Sequence, residues 1–113
     1  MSRISPKPPM GLKVPKLTPA EIRAGKEHMG RVKQLPCVVC HRPGPSDAHH
    51  CIHGRYGTRK ATDFETIPLC VECHRYPFPG AIHSGKETWR QRYGADYEYL
   101  SVVADMLAGE WNA

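Results

Sequence analysis

The chain has 113 residues, 24% of them charged, and a formal net charge of +5. That length holds a single domain. It contains no apolar run long enough to span a bilayer and no apolar leader after Met1, so we expect no membrane partner and a cytoplasmic location. The excess charge sits at one end. Residues 1–36 carry eight Lys/Arg against two Glu, a net of +6, and the remainder carries a net of −1. A basic arm on a neutral domain suggests an electrostatic tether to nucleic acid; the plainer alternative is a solubilising tail.

Residues 1–17 hold four prolines, a glycine and scattered lysines, too little apolar surface to offset the entropy of ordering, so this arm is predicted to be disordered. A domain over 18–113 follows. It opens on a helix at about 18–35, with Thr18 as cap, Pro19 at the first helical position and Glu21 completing a capping box. Ile22, Met29 and Val32 give that helix a modest apolar stripe, which Gly25 and Gly30 weaken.

Next comes PCVVC, and some thirty residues later PLCVEC. Cys37 with Cys40, and Cys70 with Cys73, are two CxxC knuckles that can place four thiolates around one tetrahedral Zn²⁺ at about 2.3 Å each. Unrelated buried cysteines or two disulfides are the alternatives. Five cysteines without a secretory signal favour a reducing compartment and therefore metal. A neutral core of this size needs such a staple, and structural zinc can supply an apparent binding free energy of about 10–16 kcal/mol. Cys51, the odd cysteine, reads as a small packing residue, and His28 and His41 as solvated.

Between the knuckles, residues 47–52 are expected to be extended, and a loop rich in Gly and Arg follows. Residues 66–70 deliver the second knuckle, and a short helix from about Val71 carries His74 before Pro77 and Pro79. Ser84 and Glu87 suggest a second capping box, opening a helix through Trp89 and Tyr93 that Gly94 breaks. Asp96 reads as the cap of a last helix in which Leu100, Val103, Ala104 and Leu107 share a face and Gly109 marks the end. The class is α+β: a small zinc-stapled domain with C-terminal helices.

The chemistry lies in the insertion. His49 and His50 are adjacent, so in an extended segment their side chains point to opposite faces. One imidazole can then bind a metal while the other accepts a proton near neutral pH. Asp63, His74 and His83 are further residue types a divalent metal would want. Arg55, Arg59, Lys60 and Arg75 can bind phosphate oxygens. Each also has a duller interpretation: histidines that complete a second zinc site, His83 or Asp63 as turn residues, arginines as a solvated face.

The combination of CxxC, His-His and PLCxxCH resembles the zinc-bearing HNH (ββα-metal) endonucleases. The longer pattern LPCVVC, AHHCIHGR, DFETIPLCVECH and AIHSGKETWRQRYG, over roughly residues 35–97, is similar to phage and prophage HNH proteins of the recombination-enhancement (Ref-like) type. The resemblance implies a ββα-metal domain in which His50 is the general base and His49 a ligand to a catalytic Mg²⁺ or Mn²⁺ ion. His74 takes the final His of the pattern, and His83 belongs to the narrower family's site. The central Asn is absent; Glu65 lies near its slot, and Asp63 is the residue chosen for its role. The zinc would be structural only. The implied function is metal-dependent DNA cleavage in recombination, on single-stranded or RecA-bound DNA, in a bacterial host cell. The competing function is a non-catalytic zinc-ribbon module that binds DNA or a recombination protein.

Overall fold

Helix α1 (Pro19–Lys33) begins as its capping box dictates. The Thr18 side chain accepts from Glu21 N at 3.1 Å, and Thr18 N donates to Glu21 Oε1 at 2.8 Å. The structure is a computed structural model that describes residues 16–110, so the expected arm lies almost wholly outside the described residues. The apolar stripe of α1 differs from expectation. Val32 is fully buried and Met29 partly, whereas Ile22 is exposed, and the helix is seated instead through the buried Gly25.

After α1 the chain dives inward through Leu35, Pro36 and Cys37, and the first CxxC forms a tight turn closed by His41 N donating to Cys37 O at 2.9 Å. His41 has a positive φ of 67° and stays exposed. Ser46 then ties the returning chain to the end of α1, donating from Oγ to Leu35 O at 2.7 Å and from N to Lys33 O at 2.8 Å. This anchor starts strand β1 (Asp47–His50) beside the helix.

Strand β1 pairs antiparallel with β2 (Thr66–Leu69), with His49 opposite Ile67 and His50 opposite Thr66. Pro68 sits inside β2, where a ladder donor is missing. Its carbonyl points to the other side and accepts from Val38 N at 2.9 Å, so the first knuckle completes the second edge of β2. Helix α2 (Val71–His74) follows β2 directly and is as short as the downstream prolines require.

Helix α3 (Lys86–Tyr93) has Gly85 as its cap and no side-chain capping bond. The capping box expected from Ser84 and Glu87 does not form, because Ser84 is already committed to a 3₁₀ turn (Ile82–Ser84). Gly94, at φ 91°, ends α3 as expected. A 3₁₀ turn (Asp96–Tyr99) leads into α4 (Leu100–Asp105) and a wider turn (Met106–Glu110) containing Gly109 at φ 100°. On α4, Val103 is buried, Leu100 and Leu107 are partly so, and Ala104 is exposed.

The result is a small α+β domain. Val32, Ile67, Leu69, Ile82, Trp89 and Val103 form its core, with the hairpin between α1 and the C-terminal segment. All five cysteines are free in this structure. The four knuckle sulfurs lie within 4.8 Å of one another. Cys40 Sγ is 3.6 Å from Cys70 Sγ, against about 3.8 Å for the edge of a tetrahedron with 2.3 Å Zn–S bonds. Such a cluster can hold a structural metal such as zinc. Cys51 is buried outside the cluster, and burial pushes its thiol up to about 12, as suits an inert packing residue. We expect the wild-type protein to hold one zinc ion tightly, and Cys70→Ser to lose that binding and, with it, cooperative folding. Metal content and far-ultraviolet circular dichroism during chelator titration measure both.

Candidate metal centre

A second cluster forms where β1, α2 and the Ile82–Ser84 turn converge. His49, His74 and His83 bring one ring nitrogen each within 4.8 Å of the others. Their ring centroids are 4.8–5.3 Å apart. His49 is the buried floor, His74 is partly covered and His83 is exposed, so the cluster opens to solvent on the His83 side.

Carboxylates fix which nitrogen two of these rings present. Asp96 Oδ2 lies 2.9 Å from His49 Nε2, and Asp47 Oδ2 lies 2.8 Å from His74 Nδ1. Each carboxylate is an acceptor, so the proton sits on the nitrogen facing it. His49 Nδ1 and His74 Nε2 are left as lone-pair donors. Carboxylates behind histidines in this way orient metal-binding imidazoles and raise their basicity.

Asp96 is the central polar contact. It is 0% exposed and accepts from His49 Nε2, from Ile52 N at 2.7 Å and from His53 N at 3.2 Å. Burial pushes its carboxyl up, but these donors outweigh burial and hold it below the usual carboxylate range. The sequence reading made Asp96 a helix cap. The structure corrects this: the turn's cap is Ala95, and the Asp96 side chain points into the hairpin. No local signal could have shown it, because its partners lie more than forty residues away. His53 completes the contact. Its Nδ1 accepts from Asp96 N at 2.9 Å and its Nε2 donates to Lys86 O at 3.0 Å, so it is a neutral staple and not a ligand.

Asp47 was also missed, although a signal existed: Asp47 and His49 alternate on one face of β1. Asp47 serves His74 and also takes the Arg75 guanidinium in a fork, with Nε and Nη2 both at 2.8 Å. The Arg75 pair, with His74, holds its carboxyl below the usual range against burial, which pushes it up. Arg75, expected on phosphate, therefore has its planar fork occupied by Asp47. Arg59 reaches Glu65 at 3.6 Å, and Arg55 and Arg59 lie 5.2 and 5.3 Å from the centre of the Tyr56 ring. Together with the exposed Lys60 they form a basic loop surface.

His50 points to the opposite face from His49, as the strand period requires, and its side chain is 41% exposed. Asp63, expected among the metal ligands, is not with them. Its Oδ1 lies 2.9 Å from His50 Nε2, because the loop before β2 returns on His50's side of the hairpin. Glu65, near the slot of the missing Asn, binds Tyr56 Oη at 2.7 Å and Thr62 N at 2.8 Å and shapes that loop. His28, expected to be solvated, is partly buried with its ring 5.1 Å from that of Phe64.

Burial lowers the proton affinity of His49 against the pull of Asp96, and burial with repulsion from His74 and His49 lowers that of His83. Neutral imidazole is the ligating form. Three imidazoles without a carboxylate suit a borderline divalent ion such as Zn²⁺ or Co²⁺, and an open position would remain for water or substrate. Mg²⁺, a hard ion that takes oxygen ligands, suits this donor set least.

Over residues 2–108 the sequence matches the family described as "Protein of unknown function (DUF968)", and the chain belongs to that family. No curated protein and no solved structure matches it. Among the described residues, no helix is long and apolar enough to cross a membrane.

Two outcomes follow from the geometry. Asp96→Ala would strand buried donors from His49, Ile52 and His53, and should cost about 3–5 kcal/mol in urea unfolding. The second concerns acid. Because His49 and His83 titrate below the ordinary imidazole value, the unfolded chain takes up protons there before the folded chain does. Stability of the protein without an ion on the histidines should thus decline as pH falls below about 6.5, the unfolded value, read as a falling urea midpoint.

Proposed function

For this member of the DUF968 family we propose a metal-dependent DNA endonuclease of the HNH type, with phosphodiester hydrolysis as its reaction. One observation carries the proposal: adjacent residues of β1 divide between two jobs. His49 is buried with a carboxylate behind it in a three-histidine cluster, and His50, on the opposite face, is half exposed with its own carboxylate partner. A purely structural zinc site is closed by four protein ligands, whereas three histidines leave a position open.

In this reading Cys37, Cys40, Cys70 and Cys73 hold a structural zinc, and His49, His74 and His83 would hold the second divalent ion. That ion, when bound, supplies positive charge against the phosphate and the departing 3′ oxygen. The chain's own residues do the rest. His50 takes a proton from water through its free nitrogen as the water oxygen bonds to phosphorus. The P–O3′ bond breaks and the 3′ oxygen leaves with a solvent proton, giving a 5′-phosphate and a 3′-hydroxyl. Arg55, Arg59 and Lys60 hold flanking phosphates, and the basic N-terminal residues add salt-dependent, sequence-independent affinity. The sequence resemblance adds a RecA–DNA filament as the partner and a phage or prophage setting.

The decisive assay is cleavage of single-stranded and supercoiled DNA with Zn²⁺, Co²⁺, Mn²⁺ or Mg²⁺, with and without RecA and ATP. Wild type and His50→Ala are compared, and circular dichroism and zinc content verify that both are folded. We expect a metal-dependent activity that falls roughly 10²–10⁴-fold in His50→Ala. If both proteins bind DNA equally and neither cuts it, the non-catalytic zinc-module function takes its place.

A further inference from the structure

Helix α1 touches the hairpin at an unusual residue. Gly25 is buried, and a Cβ built there would stand 2.8 Å from Asp63 Oδ2 and 2.9 Å from Asp63 Cβ. The carboxylate that meets His50 is therefore packed flat against a helix that has no side chain at the point of contact. Asp63 cannot retreat by rotating, since its own Cβ is already in the way and its loop is pinned. Thr66 Oγ1 donates to Asp63 O at 3.1 Å, Glu65 N to Thr62 O at 2.9 Å, and Thr62 N to Glu65 Oε1 at 2.8 Å.

We infer that Gly25 and Asp63 form a seat that positions His50, which makes α1 part of the machinery of the site and not only of its scaffold. Asp63 Oδ1 accepts the Nε2 proton of His50 at 2.9 Å, and so sets the ring's tautomer and plane. Nδ1 is the nitrogen left to accept a proton. Asp63 touches no reacting atom in this scheme; it acts through His50. Its catalytic consequence rests on the endonuclease reading, but the seat itself does not.

Gly30 provides an internal control. It lies on the same helix, and a Cβ there would meet nothing within 4 Å. Gly25→Ala and Gly30→Ala change helix propensity alike, whereas only the first intrudes on Asp63. The experiment uses the full-length, zinc-loaded, ¹⁵N-labelled protein and reads the ring nitrogens of His50 by long-range ¹H–¹⁵N correlation, beside steady-state DNA cleavage. We expect the Nε2–H tautomer in wild type and in Gly30→Ala, and a mixture of tautomers in Gly25→Ala. Cleavage by Gly25→Ala should show kcat down on the order of 100-fold with KM for DNA nearly unchanged, the pattern of a misplaced base. Asp63→Asn, which keeps an acceptor oxygen, should retain the tautomer, and Asp63→Ala should lose it without altering α1. His50 signals in Gly25→Ala and Asp63→Ala that match wild type would overturn the inference. If Gly25→Ala does not fold, the Asp63 pair decides alone. A fixed tautomer that is lost in these variants, in a protein that cuts nothing, leaves the seat standing and removes the endonuclease reading.

Discussion

A buried carboxylate with three donors holds this domain in its working shape. Asp96 arrives from the far end of the chain and is wholly removed from water. An uncompensated charge there would be very costly, and the His49 ring and the two backbone N–H groups after β1 compensate it. The same bonds serve both stability and chemistry. They close the C-terminal segment over the hairpin, and they decide that His49 shows Nδ1 to its neighbours. His53 locks the opposite direction, accepting from the Asp96 backbone while donating to Lys86. The hairpin and the C-terminal segment are therefore joined by reciprocal polar bonds in a domain too small to rely on apolar burial alone.

The strand period gives the site its two sides. Asp47 and His49 lie on one face of β1 and His50 on the other, and each of the three has a partner from a different part of the chain. A one-residue slip in the register would exchange the faces, burying His50 and exposing His49. The Cys cluster opposes such a slip. It fixes the start of α2 directly after β2, and Val38 binds the free edge of β2 through Pro68. The cysteine cluster at one end and a carboxylate at the other thus clamp the hairpin that carries the histidines.

Charge is allocated with similar economy. Asp47 balances Arg75 and backs His74, so a residue that looked available for phosphate is committed to the carboxylate that orients His74. Arg55, Arg59 and Lys60 remain on the loop surface, the first two flanking the Tyr56 ring. In the proposed endonuclease these loop residues are the ones that would meet the phosphates.

Much of this was legible in the sequence because it is encoded locally. The capping box fixed the start of α1 at Pro19, the CxxC spacings brought four sulfurs together, the His-His pair on a strand split to two faces, and the prolines kept α2 to four residues. Such features depend on neighbours within a turn or a strand period, so residue type and spacing suffice. The seating of α1 through Gly25, the placing of Asp63 beside His50 and the burial of Asp96 were not legible. A glycine in a helix looks like a weakness until another chain segment is seen against it, and Asp96 looks like a helix cap until the partners more than forty residues away are known. The sequence by itself determined which side chains could bind metal or move a proton. Only the tertiary structure decided which carboxylate stands behind which histidine, because that choice is made by long-range burial and hydrogen bonding and leaves no mark on local spacing.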